Sequence, residues 1–364
     1  AIYDKMLQIF QKNNSDSYLR GGTSMSNQIT IKDIARKAHV SVATVSRSLN
    51  GSNCVTDAMR QRVMDAVREL GYVPNSIAKS LKTNSTYTIG FLVPDISNHF
   101  VISIARIVED IVGRQNYNLI LCSTGNKAER ELDYLKMLLS RSVDGLILNT
   151  TGHNDEFVLE MNHRIPIVLL NRRIQREGFH GDLVDTNNYL GGYLLTKQLL
   201  ALGHRKIFVV RGPLHLSNSR ERFQGFVDAM AESKLVVDAQ YPYVYAGEFL
   251  LQSGIEAVDY FCEIGDRPTA ILSLNNMLTL GVLEQLHARN IRVPEQVSLV
   301  SYDAINNVDL MVVRPTSATF DIAAIGERLG KTILERIQDP QGENREFIFD
   351  PIIIQGNSLS VPRS

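Results

Sequence analysis

In "HVSVATVSRSLNG", residues 39 to 51, a single charge, Arg47, stands among small and apolar side chains. At helical spacing Val45 and Leu49 share one side, while Val42, Ala43, Ser46, Arg47 and Asn50 share the other. The second set has the chemistry to read a base-pair edge. The methyl groups of Val42 and Ala43 match a thymine methyl, and the Arg47 fork matches the O6 and N7 acceptors of guanine. Ser41 and Thr44, at the N-terminus of such a helix, suit phosphate oxygens. A three-helix module that binds another protein would also account for this pattern.

A second group of polar residues follows apolar runs further along. Asn98 and Phe100 come after "IGFLVPDI", Arg220 after "FVVRGPL", Asn275 and Asn276 after "AILSL", and Asp303 after "VSLVSY". Arginine and aspartate make paired bonds with neighbouring hydroxyls, and a phenylalanine ring stacks on the apolar face of a sugar. Taken singly, each of these residues reads as a surface loop or a helix cap; taken together they suit a small polyhydroxylated molecule. Catalytic patterns are missing: there is no nucleophile elbow, no H-E-x-x-H and no phosphate loop. The glycines of "YLGGYLLTKQLLALGH" lack the dinucleotide-binding spacing. His99 and Asp95 are isolated loop groups. The three cysteines, Cys54, Cys122 and Cys262, lie far apart without C-x-x-C spacing, which indicates neither zinc site nor disulfide framework. The expectation is a non-enzyme without metal or cofactor.

Three helical patterns position the first group. Thr30 opens "TIKD", a variant capping box, and Ile31, Ile34, Ala35 and Ala38 make one apolar face. Ser41 caps the second helix and Asn50-Gly51 ends it. Thr56 caps the third, whose inward face is read as Met59, Val63, Ala66, Val67 and Leu70, with Gly71 and Pro74 as stops. The tight "AHVS" turn between the first two helices fits a helix-turn-helix. Residues 75–82 form barely two turns, too short to be stable alone; they are an ordinary linker, or a segment that folds on docking with Leu81 as a minor-groove wedge. From Thr88 onward, apolar strands such as "TIGFLVP", "NLILCST", "VDGLILNT" and "IPIVLLN" alternate with amphipathic helices, and a second series starts at "RKIFVVRG". Two such series imply two doubly wound parallel sheets, with ligands beyond the C-terminal ends of the strands.

The bulk composition agrees. The chain has 364 residues, 44% hydrophobic and 21% charged, enough for two or three lobes. Residues 30–83 hold nine basic and four acidic side chains, a net +5 against −6 elsewhere, which hints at a polyanionic partner. No apolar run reaches the roughly 20 residues of a membrane span, and no signal peptide is seen, so a cytoplasmic location and no membrane partner are expected. Residues 1–29 are expected to be a tail, disordered or foreign to the natural chain.

"TIKDIARKAHVSVATVSRSLNG" followed by "VTDAMRQRVMDAVRELGYVPNSIAKSL" resembles the headpiece and hinge of LacI/GalR-family bacterial transcription regulators. The resemblance implies an all-α helix-turn-helix headpiece at 30–74, a hinge at 75–87 and an α/β periplasmic-binding-protein-like core of two doubly wound parallel-sheet lobes at 88–364. One lobe is placed at about 88–186 and 320–338, the other at about 187–319 and 339–360. It assigns base contacts to Val42, Ala43 and Arg47 and the wedge to Leu81. The DNA-facing surface is completed by Thr30, Ser41, Thr44, Ser46 and Asn50, with Tyr72, Asn75, Ala78 and Lys79 beyond them. Phe100, Arg220, Asn275 and Asp303, with Asn98, become effector contacts. The implied partners are double-stranded operator DNA, a sugar-like effector and a second copy of the chain, as a homodimer or a tetramer. The sequence departs from the family pattern at His39, where glycine is usual, at Lys79, and in the cleft at Val101, Asn276 and "SYDA". The cleft departures also leave a place for a protein coregulator instead of a small effector. A transport-type solute-binding protein is the other reading, set aside because of the headpiece.

Overall fold

The computed structural model describes residues 29–49, 54–72, 85–174, 176–305 and 307–362. The chain divides into two compact units between residues 79 and 80. In the N-terminal unit, α1 (Ile31–Ala38), α2 (Val42–Leu49) and α3 (Asp57–Leu70) surround a small core. Ile34, Val45 and Val63 are fully buried there, with Ala35, Ala38 and Ala66 beside them. Eight residues are too few to hold a helix alone, so α2 depends on this packing. The ends behave as the side chains dictate. Thr30 donates its N–H (2.9 Å) and its hydroxyl (2.7 Å) to Asp33 Oδ2. The N–H of Thr44 bonds to Ser41 Oγ at 3.0 Å, and that of Met59 to Thr56 Oγ1 at 3.4 Å. His39 closes α1 at φ 51°, a left-handed conformation that histidine tolerates better than most residues. Two expectations fail here. Met59 is exposed, because α3 turns Val63 and Ala66 inward and leaves its first turn outside. Ile29 is half-buried against the headpiece core, so the tail ends before it. The tail at 1–28, Asn50, and the hinge residues Asn75, Ala78, Lys79 and Leu81 lie outside the described residues.

The described part of the second unit opens at Ser85, and residues 85–87, expected to be linker, belong to it. The carboxylate of Asp144 accepts the N–H groups of Thr86 (2.8 Å) and Tyr87 (2.9 Å) and ties residues 85–87 to the core. Its first lobe carries β1 (Thr88–Val93), β2 (Asn118–Ser123), β3 (Gly145–Leu148), β4 (Ile167–Leu170) and β5 (Asp182–Thr186). Helices α4 (His99–Gly113), α5 (Ala128–Ser140) and α6 (Asp155–Asn162) connect them. The second lobe carries α7 (Asn188–Ala201), β6 (Ile207–Arg211), α8 (Ser217–Glu232), β7 (Val244–Ala246), α9 (Leu251–Glu263), β8 (Ala270–Ser273), α10 (Asn276–Ala288), β9 (Ser298–Tyr302) and β10 (Thr316–Thr319). Then α11 (Ile322–Gln338) and β11 (Glu346–Phe349) return to the first lobe, and β12 (Ile352–Ile354) to the second. The sheet orders are β11-β5-β4-β3-β1-β2 and β12-β10-β9-β8-β6-β7. All pairings are parallel except β10 with β12. The central strands β3 (GLIL) and β4 (IVLL) are apolar throughout because parallel strands are covered on both faces.

One boundary moves. β11 pairs with β5 in the first lobe, so the stretch placed wholly in the second lobe at 339–360 is divided. The chain crosses between lobes after Thr186, Thr319 and Phe349.

Candidate functional site

In the headpiece unit, Val42, Ala43 and Arg47 are exposed on α2, while Val45 and Ser48 are buried. The outward face therefore consists of methyl groups and one guanidinium, with Ser46 and Thr44 partly covered beside them. Ser41 is exposed, and its hydroxyl lies 2.9 Å from that of Thr44. Thr30 is exposed as well, but its hydroxyl is spent on Asp33. The Tyr72 side chain is half-buried against the headpiece core.

In the core unit, the C-terminal ends of the strands of both lobes meet at a cleft. Its lining includes Asp95, Asn98 and Phe100 after β1, Asn149 after β3, and Asn171 and Arg172 after β4. The other lobe adds Asn218 and Arg222 from α8, Phe249, Asn275 and Asp303. The cleft encloses a cavity of about 40 Å³. A hollow of about 250 Å³ beside Asp309 and Arg314 is roomier but has no aromatic wall. Convergent polar chemistry, not size, marks the cleft as the candidate site.

Four of the five expected cleft residues gather here; Arg220 does not. It is exposed, and its Nη1 donates to the carbonyl of Leu214 at 3.2 Å. The buried arginine is Arg222, whose guanidinium carbon lies 3.6 Å from the Tyr302 ring centroid. Its Nε donates to Asn188 Oδ1 at 2.8 Å and its Nη1 to the carbonyl of Leu274 at 2.9 Å. Asp303 Oδ2 is 3.9 Å from Nη1. Burial raises the pKa of Asp303, and Arg222 partly offsets it. Arg172, equally buried, bonds the carbonyl of Thr150 at 2.7 Å. Burial and the charge of Arg222 push its pKa down to about 10.

The asparagines also build the walls. Asn98 Oδ1 caps α4 through the N–H of Phe100 (3.0 Å), and Asn275 Oδ1 caps α10 through that of Met277 (2.9 Å). Asn98 and Asn276 exchange amide bonds of 3.2 and 3.0 Å from one lobe to the other. An aspartate at 276 would lack the donor for one of them.

Comparison with known proteins decides the family. Residues 30–75 match the description "Bacterial regulatory proteins, lacI family", and residues 86–355 match "Periplasmic binding proteins and sugar binding domain of LacI family". The chain belongs to the LacI family. It is a DNA-binding transcriptional regulator and not an enzyme. It is 35% identical over 332 residues to the HTH-type transcriptional repressor PurR of Vibrio cholerae, covering 91% of this chain and 98% of that one. It is 32% identical over 330 residues to the ribose operon repressor of Haemophilus influenzae, with the same coverage. A solved LacI family regulator from Enterococcus faecium with bound ribose is 29% identical, with a TM-score of 0.66, over 76% of this chain and 100% of that one.

Within this LacI-family core, three of the residues that the sequence reading missed share one signal. Asn149 and Asn171-Arg172 directly follow the apolar runs "GLIL" and "IVLL", where Asn275 and Asp303 follow theirs. Arg222 lies on the buried face of α8 with Ser219, Phe226 and Ala229, and Arg220 lies two residues away on the wet side. Phe249, before α9, carries no such mark; only the fold brings it to the same cleft as Phe100.

Proposed function

We propose that this LacI-family regulator is a cytoplasmic repressor of a carbohydrate-utilisation operon, binding a pseudo-palindromic operator as a homodimer. Val42, Ala43 and Arg47 contact base edges, while Ser41, Thr44 and Ser46 face the phosphates. Asn50, Asn75, Ala78, Lys79 and Leu81 are proposed to add backbone contacts and the minor-groove wedge. The effector is an uncharged sugar of monosaccharide size held between Phe100 and Phe249, with Arg222, Arg172, Asp303 and the cleft asparagines on its hydroxyls. The single observation that supports this most is the buried Arg222–Asp303 pair in a cleft lined also by Phe100 and Phe249. Donors and acceptors alternate around a small space, the arrangement that hydroxyls satisfy. The Enterococcus faecium neighbour, solved with ribose, supports the same class of ligand.

The effector controls DNA binding only if it binds one lobe arrangement better than the other. The test is titration of the protein on operator DNA, at fixed salt, with D-ribose, D-glucose and hypoxanthine in parallel. Release or tightening by a sugar alone supports the proposal. A response to hypoxanthine alone would favour a nucleobase effector over a sugar.

A further inference from the structure

The amide oxygen of Asn188 is offered more hydrogens than it can accept. Asn188 is buried at the first position of α7, directly beyond the crossover from β5. Its Oδ1 faces Arg222 Nε at 2.8 Å, the Tyr302 hydroxyl at 3.1 Å and Thr186 Oγ1 at 3.3 Å. A carbonyl oxygen has two lone pairs, so three donors compete for two places. The hydrogen of Thr186 also has alternatives, since Asn171 Oδ1 lies at 3.2 Å and the Tyr302 oxygen at 3.4 Å. The other end of the amide is pinned: Nδ2 donates to Asp185 Oδ1 and to the carbonyl of Thr186, both at 3.0 Å.

The three donors come from three places. Arg222 lines the cleft, Tyr302 ends β9 one residue before the cleft carboxylate Asp303, and Thr186 ends the last strand before the chain leaves the first lobe. Asn171, the alternative acceptor, lines the cleft too. In a buried network every member feels a change in any one.

We propose that Asn188 is the positioning residue that couples cleft occupancy to the arrangement of the two lobes, through competition of Arg222, Tyr302 and Thr186 for its amide oxygen. This rests on the reading of the cleft as the effector site. A ligand oxygen that accepts from Arg222 loosens the Arg222 bond and frees a lone pair for Tyr302 or Thr186. This changes which lobe holds the crossover.

Two substitutions remove one competitor each while keeping the side-chain shape: Tyr302→Phe and Thr186→Val. Both leave Asn188 in place, which guards against misfolding. The probe is a duplex that the wild-type protein selects from a random-sequence pool. Operator affinity is measured at fixed salt without any effector, together with Tm. The expected result is a shift in Kd of about two- to thirty-fold for each variant, since residues along a coupled network modulate it by that much. A change in Tm with Kd moved less than about two-fold in both variants overturns the proposal, because a purely structural bond affects stability alone. Wild type is titrated with D-ribose, D-glucose and hypoxanthine alongside. Absence of any response there overturns the effector reading of the cleft, while the effector-free comparison still decides the role of Asn188.

Discussion

Arg220 and Arg222 are two residues apart and on opposite sides of one helix. Only the second meets the cleft, which gives a paired prediction. Arg222→Gln abolishes the effector response on operator DNA and lowers Tm, because Asp303 loses its buried counter-charge. Arg220→Ala leaves effector affinity within about two-fold, as loss of an exposed contact is worth little. In the headpiece, Arg47→Ala costs about 1–3 kcal/mol of operator affinity in a mobility-shift titration, the worth of a bidentate guanine contact. Unchanged affinity would overturn the assignment of Arg47 to a base contact. Asp185 carries a pH prediction. Burial, then repulsion from Glu221, raises its pKa to about 6, against the N–H of Thr186, Arg173 and Arg222. Between about pH 4 and 6 the folded chain holds a proton that the unfolded chain has released, so this contribution to stability falls as pH rises through that window. Asp185→Asn therefore stabilises the protein at pH 7.5 by roughly 1–3 kcal/mol and flattens the denaturation-midpoint profile over that range.

At the scale of elements, the glycines of "YLGGYLL" do not bind a nucleotide; they let helices and strands touch. A Cβ on Gly192 would lie 2.1 Å from the carbonyl oxygen of Arg222, and one on Gly225 would lie 2.2 Å from that of Tyr189. The same α7–α8 contact that packs the second lobe thus sets the backbone that carries Arg222. Gly192→Ala is expected to cost about 1–3 kcal/mol in urea unfolding, and to weaken effector binding with it. The strand β5 shows how tertiary context overrides composition. "DLVDT" has two aspartates and did not stand out as a strand, yet it is buried along its length. Asp182 is held by Arg336 at 2.6 and 3.0 Å and by Arg345 at 3.0 and 3.1 Å. Both arginines lie more than 150 residues away in sequence, on the return of α11 and β11 to the first lobe. No local signal reports such a pair. β11 was missed for a related reason: as an edge strand it alternates exposed and half-buried residues and lacks the continuous buried apolar run of β3 and β4.

For the whole molecule, the sequence was sufficient for what depends on near neighbours in the chain. Helical periodicity and caps gave the three headpiece helices and the outward face of α2. The alternation of apolar strands and amphipathic helices gave two wound lobes with polar residues at their strand ends. The motifs of the headpiece gave the family. These are decided by spacings of two to four residues, which any reader of the chain can see. Which polar residue enters the cleft was decided elsewhere. Arg222 is inside and Arg220 outside because α8 lies against α7; Phe249 and Phe100 line one cleft because two sheets converge. Asn188 stands under three donors because the chain changes lobes beside it. Each of these depends on residues distant in sequence meeting at a packed interface, and the free energy that selects such a meeting, burial of apolar surface with every polar group answered, belongs to the folded molecule and not to any segment of it.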